Sequence, residues 1–249
     1  MFYFIPTTYQ PNTAATNRAI SYIKGFSELG TETTVVYFRP DESKNRFEQP
    51  LPHIAYKCYW DKFWFTSMPL MYLSILCYYI HFIIHLRSDD TIFIYSGADL
   101  WYWIKKLKPS VKIYLEHTEN PEVVGIGGKF LTPSWTQYYK SLPKLNGLFV
   151  ITTALKEYFV LRGVAEDKIH IANITVDPHR FENVEKTTSE KYIAYCGTAS
   201  NNKDGVDQLI KAFALVAKDI ADVKLYIMGS IPQDDKAGNL KLIKQNAWA

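Results

Sequence analysis

The sequence contains little cysteine, and its few cysteines exclude a disulfide-stabilised fold. The three residues, Cys58, Cys77 and Cys196, are odd in number and widely spaced, so they match neither a disulfide framework nor a zinc-binding pattern. This usage favours a reducing compartment. Residues 1–12 have neither a basic stretch nor a long apolar core, so they do not read as a signal peptide. We therefore expect a cytoplasmic protein.

The sequence also lacks a strong excess of charge of either sign. Its 28 Lys and Arg against 25 Asp and Glu give a net charge of +3, which is too small to suggest a nucleic-acid partner. There is no low-complexity stretch, and 47% of the residues are hydrophobic while 21% are charged. That composition predicts a folded protein, and 249 residues suit one large or two small domains.

Short apolar runs alternate with helical patterns over the first two thirds of the chain. Strands are predicted at 1–6, 33–38, 54–57, 91–95, 111–115, 148–151 and 168–172, and helices at 15–29, 98–107, 133–141 and 154–162. Gly30 is the predicted C-cap of the first helix. Alternation of this kind is typical of an α/β fold with a Rossmann-like parallel sheet. We assign residues 1–173 to this first domain and residues 174–191, which are polar and charged, to a linker.

A second α/β unit begins at residue 192. An apolar run ends at Gly197, a polar loop follows, and a helix from Val206 leads to a strand at 224–229. In a parallel strand–helix–strand unit, the first loop lies at the edge of the sheet where ligands bind. The loop contains Gly197, Lys203 and Gly205, which suit a phosphate group. Residues 192–249 are thus predicted to be the beginning of a second, truncated Rossmann-like domain.

One apolar segment, residues 63–86, contains no charged side chain. It is long enough to cross a bilayer, but Pro69, His81 and His85 interrupt it. Three interpretations remain open: a mostly buried helix, a peripheral membrane contact through 60–87, and a transmembrane helix. His81 and His85 have the spacing of a zinc site, but no third ligand is evident, so packing in the interior is expected for them and no metal site is predicted.

Several motifs together resemble the family 4 glycosyltransferases. Gly197 is followed by the run from Lys203 to Phe213, which is similar to the opening of the donor-binding domain of that family. Residues 147–159 are similar to its strand and helix near the end of the acceptor domain, and residues 163–181 to its interdomain linker. The resemblance implies the GT-B arrangement, in which the first domain binds an acceptor and the second binds a nucleotide-activated sugar.

The resemblance implies a retaining, metal-independent glycosyltransferase that uses a nucleotide sugar as substrate and needs no cofactor. Its acceptor would be a saccharide or a lipid-linked molecule in surface glycan assembly, at the inner face of the membrane. The sequence departs from the family at two sites of phosphate recognition. Thr198 stands where the family usually has an arginine, and residues 13–15 stand where it often has paired glycines. The paired-glutamate motif is not found after Ser230. A non-catalytic acceptor- or nucleotide-binding module and an unrelated nucleotide-binding α/β protein therefore stay open as alternatives.

The candidate site residues fall into three groups. His117 and Glu119 are the catalytic candidates, Gly197, Lys203 and Gly205 the donor-binding candidates, and Asn17, Arg18 and Glu116 the acceptor-binding candidates. Each has a structural alternative. Lys203 would be a solvated surface lysine, Glu116 and Glu119 ordinary surface carboxylates, and Arg18 part of a solvated helix start. Thr152, after a predicted strand, is more simply explained as a helix N-cap.

Overall fold

The structure of the protein is a computed structural model. The residues that it describes are 1–6, 13–38, 50–59, 68–95, 100–124, 132–175, 182–185, 189–220, 222–230, 236 and 238–239. The chain divides into two compact units, Met1–Arg180 and Phe181–Ala249. The unit boundary falls between residues 180 and 181; residues 176–181, and residues 186–188 of the predicted linker, lie outside the described residues.

The first unit is built on a parallel sheet. Its described strands are Phe2–Ile5 (β1), Thr33–Tyr37 (β2), Ile54–Cys58 (β3), Thr91–Tyr95 (β4), Lys112–His117 (β5), Gly147–Val150 (β6) and Ile169–Ile171 (β7). Their order is β3-β2-β1-β4-β5-β6-β7, and every neighbouring pair is parallel. The order reverses between β1 and β4, which is the topological switch point where open α/β sheets bind ligands. The prediction of a Rossmann-like α/β fold is confirmed.

Helices connect these strands. The described ones are Ala14–Glu28 (α1), Met68–His85 (α2), Leu100–Leu107 (α3), Pro121–Val124 (α4), Trp135–Ser141 (α5) and Thr153–Val160 (α6), with 3₁₀ turns at Leu142–Lys144 and Glu166–Lys168. The predicted end of the first helix is confirmed, because Gly30 has a φ of +66° just after α1. The short helix α4 was not predicted, since a four-residue helix is too short to show a periodic pattern.

The sheet carries a hydrophobic cluster on each face because successive strand residues point to opposite sides. Phe4 belongs to the cluster under α1, with Ala19 and Ile23 of that helix, whereas the adjacent Ile5 belongs to the cluster under α2, α3, α5 and α6. The high aromatic content of the sequence is largely accommodated in these clusters. Phe4, for example, stacks on Phe93 with ring centroids 5.4 Å apart.

The apolar helix α2 is buried on one side only. Ile75, Tyr78, Phe82 and Ile83 pack into the core of the first unit, while Leu73 and Ile84 are 55% and 64% exposed. His81 and His85 are both exposed, so the expectation that they pack in the interior was wrong. Among the described helices, none is both long and apolar enough to cross a membrane. Residues 60–67 of the predicted segment lie outside the described residues.

The second unit contains a parallel strand pair and the helix that connects it. Its described elements are the strands Lys191–Cys196 (β8) and Val223–Met228 (β9) and the helices Asn201–Asp204 (α7) and Val206–Asp219 (α8). As predicted, α8 buries an apolar face, here formed by Val206, Ile210, Phe213 and Ala214. The expected open loop from Asn201 to Gly205 is instead a turn of helix followed by a single left-handed residue, Gly205.

Candidate active site

Glu116 and His117 are the last two residues of β5, at the carboxyl edge of the sheet. The sequence predicted that this strand ends at Leu115 and that the two side chains follow on a loop, which was wrong by two residues. Because neighbouring residues of a strand point to opposite faces, the longer strand separates the two side chains. Glu116 contacts Arg18 of α1, and His117 contacts Tyr138 of α5 on the other side of the sheet.

Arg18 and Glu116 form an ion pair in the protein interior. Arg18 Nε donates to Glu116 Oε1 over 2.8 Å, and Arg18 Nη2 donates to the same oxygen. Their side chains are only 5% and 0% exposed. The alternatives of a solvated helix start for Arg18 and an ordinary surface carboxylate for Glu116 were therefore wrong. Their acceptor-binding role stays a prediction; because both side chains are buried, a bound molecule would contact them directly only if neighbouring residues moved.

The guanidinium of Arg18 also holds the segment that follows β7. Arg18 Nη2 donates to the carbonyl oxygen of Ala172 over 2.8 Å, and Nη1 donates to that of Asn173 over 2.9 Å. The Tyr22 hydroxyl donates to Glu116 Oε1 over 3.0 Å. One buried side chain thus links α1, β5 and the two residues that follow β7. The bond to Asn173 involves its backbone carbonyl oxygen.

The electrostatics of this pair reflect its burial. Burial raises the pKa of the Glu116 carboxyl above its ordinary value, while the bonds from Arg18 and Tyr22 oppose that rise. Burial lowers the pKa of the Arg18 guanidinium, but the bond to Glu116 more than compensates, and the pKa is raised overall. Glu116 Oε2 is buried without a hydrogen-bond partner in the described part of the chain. Such a pair is sensitive to the loss of either partner, because the remaining charge would be buried alone.

His117 is buried and neutral. Its Nε2 lies 2.6 Å from the Tyr138 hydroxyl, and its ring lies 5.2 Å from that of Phe159. Burial lowers the pKa of the imidazole from 6.5 to about 4. At neutral pH the ring can therefore accept or donate a hydrogen bond without carrying charge.

The remaining candidates of the first unit lie nearer the surface. Glu119 is two residues beyond β5 and is partly exposed, and Asn17 is partly exposed on α1. The structure joins Arg18 to Glu116 and directs His117 away from them. The structural alternative for Thr152 is confirmed, because its Oγ1 accepts a hydrogen bond from the Leu155 amide over 3.2 Å at the start of α6.

In the second unit, the backbone segments that follow β8 and β9 lie close together and are hydrogen-bonded to each other. The Gly197 amide donates to the Met228 carbonyl oxygen over 3.0 Å, and the Ala199 amide donates to that of Ser230 over 2.8 Å. A Cβ atom at Gly229 would lie 2.0 Å from the Gly197 carbonyl oxygen, and the φ of Gly229 is +127°. Only glycine fits at position 229, since any side chain would collide with the neighbouring strand.

The start of α8 is capped from within the same loop. Asn201 Oδ1 accepts a hydrogen bond from the Asp207 amide over 3.1 Å, and Gly205, with a φ of +65°, turns the chain from α7 into α8. The Tyr195 hydroxyl lies 2.8 Å from the Thr198 carbonyl oxygen, which fixes the other end of the loop. Lys203 belongs to α7, but its side chain lies outside the described residues.

Sequence reasoning missed four residues that shape these regions: Tyr22, Tyr138, Asn201 as a cap, and Gly229. A signal existed for Tyr22, because it lies four residues after Arg18 and so on the same face of α1. Gly229 directly follows a predicted strand, where a glycine often marks a close approach of two backbones. Tyr138 gave no such signal, since its contact with His117 depends on the packing of α5 against the sheet.

Three solved glycosyltransferases are similar to this chain in structure. The lipopolysaccharide outer core galactosyltransferase WaaB shares 14% identity over 98% of this chain and 64% of its own, with a TM-score of 0.63. HepE of Anabaena, solved with UDP and glucose, shares 13% identity over 98% of this chain and 65% of its own, with a TM-score of 0.59. TarM shares 13% identity over 98% of this chain and 75% of its own, with a TM-score of 0.65.

The chain spans less than two thirds of the length of WaaB and of HepE. Neither a protein-family model nor a curated protein matches the sequence. At sequence identities of 13% and 14%, what this chain shares with these proteins is the fold of the backbone. The chain has the GT-B glycosyltransferase fold.

Proposed function

We propose that this chain belongs to an enzyme that transfers a sugar from a nucleotide sugar to a saccharide or lipid-linked acceptor. The observation that carries the proposal is the GT-B fold, with ligand-binding edges formed by the carboxyl ends of parallel strands in each unit. HepE was solved with UDP, which supports a uridine diphosphate sugar as the donor class. WaaB is named for lipopolysaccharide, which supports an acceptor in surface glycan assembly. The nucleotide sugar is then a substrate, and no resident cofactor or metal is proposed.

The loop between β8 and α8 is the proposed donor site. The departing diphosphate gains negative charge as its bond to the sugar breaks, and transfer requires that this charge be neutralised. The α8 helix has fourteen residues and presents its positive end to this loop, beside Gly197 and Gly205. Lys203 supplies the cation in this proposal. The helical turn of α7 replaces the open loop of our expectation, so the phosphate contacts would come from the turn and from the start of α8.

In the first unit, we assign the catalytic work to His117 and Glu119. A neutral imidazole can hydrogen-bond a sugar hydroxyl without repelling the positive charge that develops on the transferred sugar. The partly exposed carboxylate of Glu119 can orient the acceptor hydroxyl or stabilise that charge. Arg18 and Glu116 act as positioning residues, since both are buried, and Asn17 remains the acceptor-binding candidate that solvent reaches on α1.

The donor assignment is tested by calorimetric titration with UDP, UDP-sugars and GDP-sugars. Lys203→Ala should weaken diphosphate binding roughly tenfold to a hundredfold, because a charge-assisted bond contributes about 1.5–3 kcal/mol. Lys218→Ala is the matched control, since Lys218 lies in the last turn of α8, at the end of that helix away from the loop. Unchanged affinity of the Lys203 variant would remove this residue from the site. The absence of heat with every nucleotide sugar would overturn the donor assignment.

Transfer is measured separately, by the release of UDP with and without saccharide acceptors. His117→Gln and Glu119→Gln should lower kcat while leaving the donor affinity of the second unit unchanged. Normal turnover in both variants would contradict their assignment. Donor binding without any release of UDP would instead identify the chain as a nucleotide-binding module.

A further inference from the structure

A network of side chains joins α4, α5 and the end of α6, close in sequence to the carboxyl end of β5. Glu122 of α4 is its centre, because Glu122 Oε1 accepts hydrogen bonds from the Tyr139 hydroxyl over 3.3 Å and from the Tyr158 hydroxyl over 3.1 Å. Arg162 Nη2 donates to the same oxygen over 2.6 Å. We call these four residues the Glu122 network. Its bonds join residues that lie 17 to 40 positions apart, so tertiary packing builds it.

The Glu122 network is more than an exposed ion pair. The guanidinium carbon of Arg162 lies 3.4 Å from the centroid of the Tyr158 ring and 5.2 Å from that of the Tyr139 ring, which are cation–π distances. The hydroxyls of the two tyrosines lie 2.6 Å apart. A single exposed ion pair holds its partners weakly, whereas several groups that converge on one oxygen restrict it to one geometry. The bonds from Arg162 and Tyr158 lower the pKa of the Glu122 carboxyl, so it stays charged at neutral pH.

Glu122 lies three residues after the catalytic candidate Glu119. Asn120 closes the turn between them, because its Oδ1 accepts a hydrogen bond from the Glu122 amide over 2.9 Å. Pro121, the first residue of α4, has a fixed φ. Few backbone torsions are therefore left between the two glutamates, and a network that fixes Glu122 also restricts the backbone at Glu119.

The other end of the same segment is fixed by the neighbouring residue of α5. The Tyr138 hydroxyl lies 2.6 Å from His117 Nε2, and the hydroxyl of the next residue, Tyr139, donates to Glu122. Residues 118–121 thus lie between two anchors that adjacent tyrosines of one helix provide. The helix α5 supports both catalytic candidates of the first unit in this way.

We propose that Glu122 is a positioning residue for sugar transfer, which fixes the backbone of residues 118–121 and so sets the place of the Glu119 carboxylate. The inference rests on the proposed function, because it assumes that Glu119 acts on the acceptor or on the transferred sugar. Displacement of a reacting group by about 1 Å can cost about a hundredfold in rate. Loss of the network should therefore lower kcat and leave donor binding, which we assign to the second unit, unchanged.

The kinetic test compares two substitutions of Glu122. Glu122→Ala removes the acceptor of all three bonds and should lower kcat for UDP release with a saccharide acceptor at least about tenfold, with the KM of the UDP-sugar unchanged. Glu122→Gln should regain most of the activity, because its amide oxygen still accepts from both hydroxyls. Rescue by the glutamine, without any change in donor KM, is not expected from a general loss of stability.

Glu166→Ala is the matched control. Glu166 is 71% exposed and pairs with Lys156 of α6 over 3.0 Å, outside the Glu122 network, so this variant should keep full activity. Equal kcat values for Glu122→Ala and Glu166→Ala would overturn the inference. Circular dichroism checks that each variant is folded.

Hydrogen exchange tests the positioning without turnover. The Val123 amide donates to the Asn120 carbonyl oxygen over 3.0 Å, and it should exchange at least about tenfold faster in Glu122→Ala but not in Glu122→Gln. Unchanged exchange in Glu122→Ala would overturn the inference, and so would faster exchange with a normal kcat. If the wild-type chain releases no UDP with any acceptor, the proposed function fails, and the exchange rate by itself decides whether Glu122 fixes this segment.

Discussion

Arg18 and Glu116 lie 98 residues apart in the sequence, and their side chains meet over 2.8 Å in the interior of the first unit. This pair brings α1 to the carboxyl end of β5 and, through the carbonyl oxygens of Ala172 and Asn173, holds the chain where it leaves the sheet. The positions of the candidate residues in this region thus depend on one buried charge pair.

Removal of one partner of this pair should be costly. Glu116→Gln leaves the Arg18 guanidinium buried without its counterion, and we expect the free energy of unfolding to fall by roughly 3 kcal/mol. Urea denaturation measures the loss. The control is Glu122→Gln, in which the glutamate is 53% exposed and paired with Arg162, and there we expect a much smaller loss because solvent screens an exposed pair. Equal losses in both variants would contradict the view that burial makes the first pair critical.

A double-mutant cycle separates the pair from its surroundings. Arg18→Met combined with Glu116→Gln should lose less stability than the sum of the two single variants, because the double variant buries no lone charge. Simple additivity would mean that the two side chains act independently.

His117 should make stability depend on pH. Burial lowers the pKa of its imidazole from 6.5 to about 4, so between these values the unfolded chain binds a proton that the folded chain does not. The stabilisation is complete above about pH 6.5 and falls by about 3 kcal/mol as the pH decreases toward 4. His117→Gln should flatten this part of the profile of unfolding free energy against pH. An unchanged slope in His117→Gln would point to a different titrating group.

Gly229→Ala should destabilise the second unit. The new Cβ would lie 2.0 Å from the Gly197 carbonyl oxygen, at a φ of +127° that alanine rarely adopts, and we expect a loss of at least about 2 kcal/mol. Hydrogen exchange of β8 and β9 should show this as faster exchange. Gly25→Ala is the control, because nothing lies within 4 Å of its Cβ position in α1, where alanine stabilises a helix by about 0.5–1 kcal/mol. Normal protection of β8 and β9 in the Gly229 variant would show that the added Cβ atom is accommodated without loss of strand pairing.

Two substitutions of Asn201 distinguish a role in stability from a role in UDP binding. Asn201→Ala removes the oxygen that accepts from the Asp207 amide, which should cost about 1 kcal/mol of stability. Asn201→Asp keeps an acceptor and is favourable at a helix start, but it adds negative charge beside the proposed diphosphate site. We expect it to retain stability while weakening UDP binding in calorimetry. Unaltered UDP affinity in Asn201→Asp would place the diphosphate away from this turn.

Strands and helices whose apolar residues recur at regular spacing were predicted well. Elements whose ends depend on contacts with residues distant in the sequence were not. The strand at Thr91–Tyr95 and the buried face of α8 follow from apolar spacing, and both lie where expected. The end of β5 was misplaced because Glu116 and His117 are polar, and a polar residue ordinarily marks the end of a buried strand. Here Arg18 and Tyr138 satisfy those side chains, so the strand continues.

The sequence by itself determined the α/β alternation, the order of the two units and the GT-B resemblance, because hydrophobic period and glycine positions are local properties of the chain. Only the tertiary structure decided that Arg18 is buried, that His117 turns away from Glu116, and that α2 is buried on one side only. Those outcomes depend on which surfaces meet when the sheet assembles, and residues about a hundred positions apart become neighbours only then.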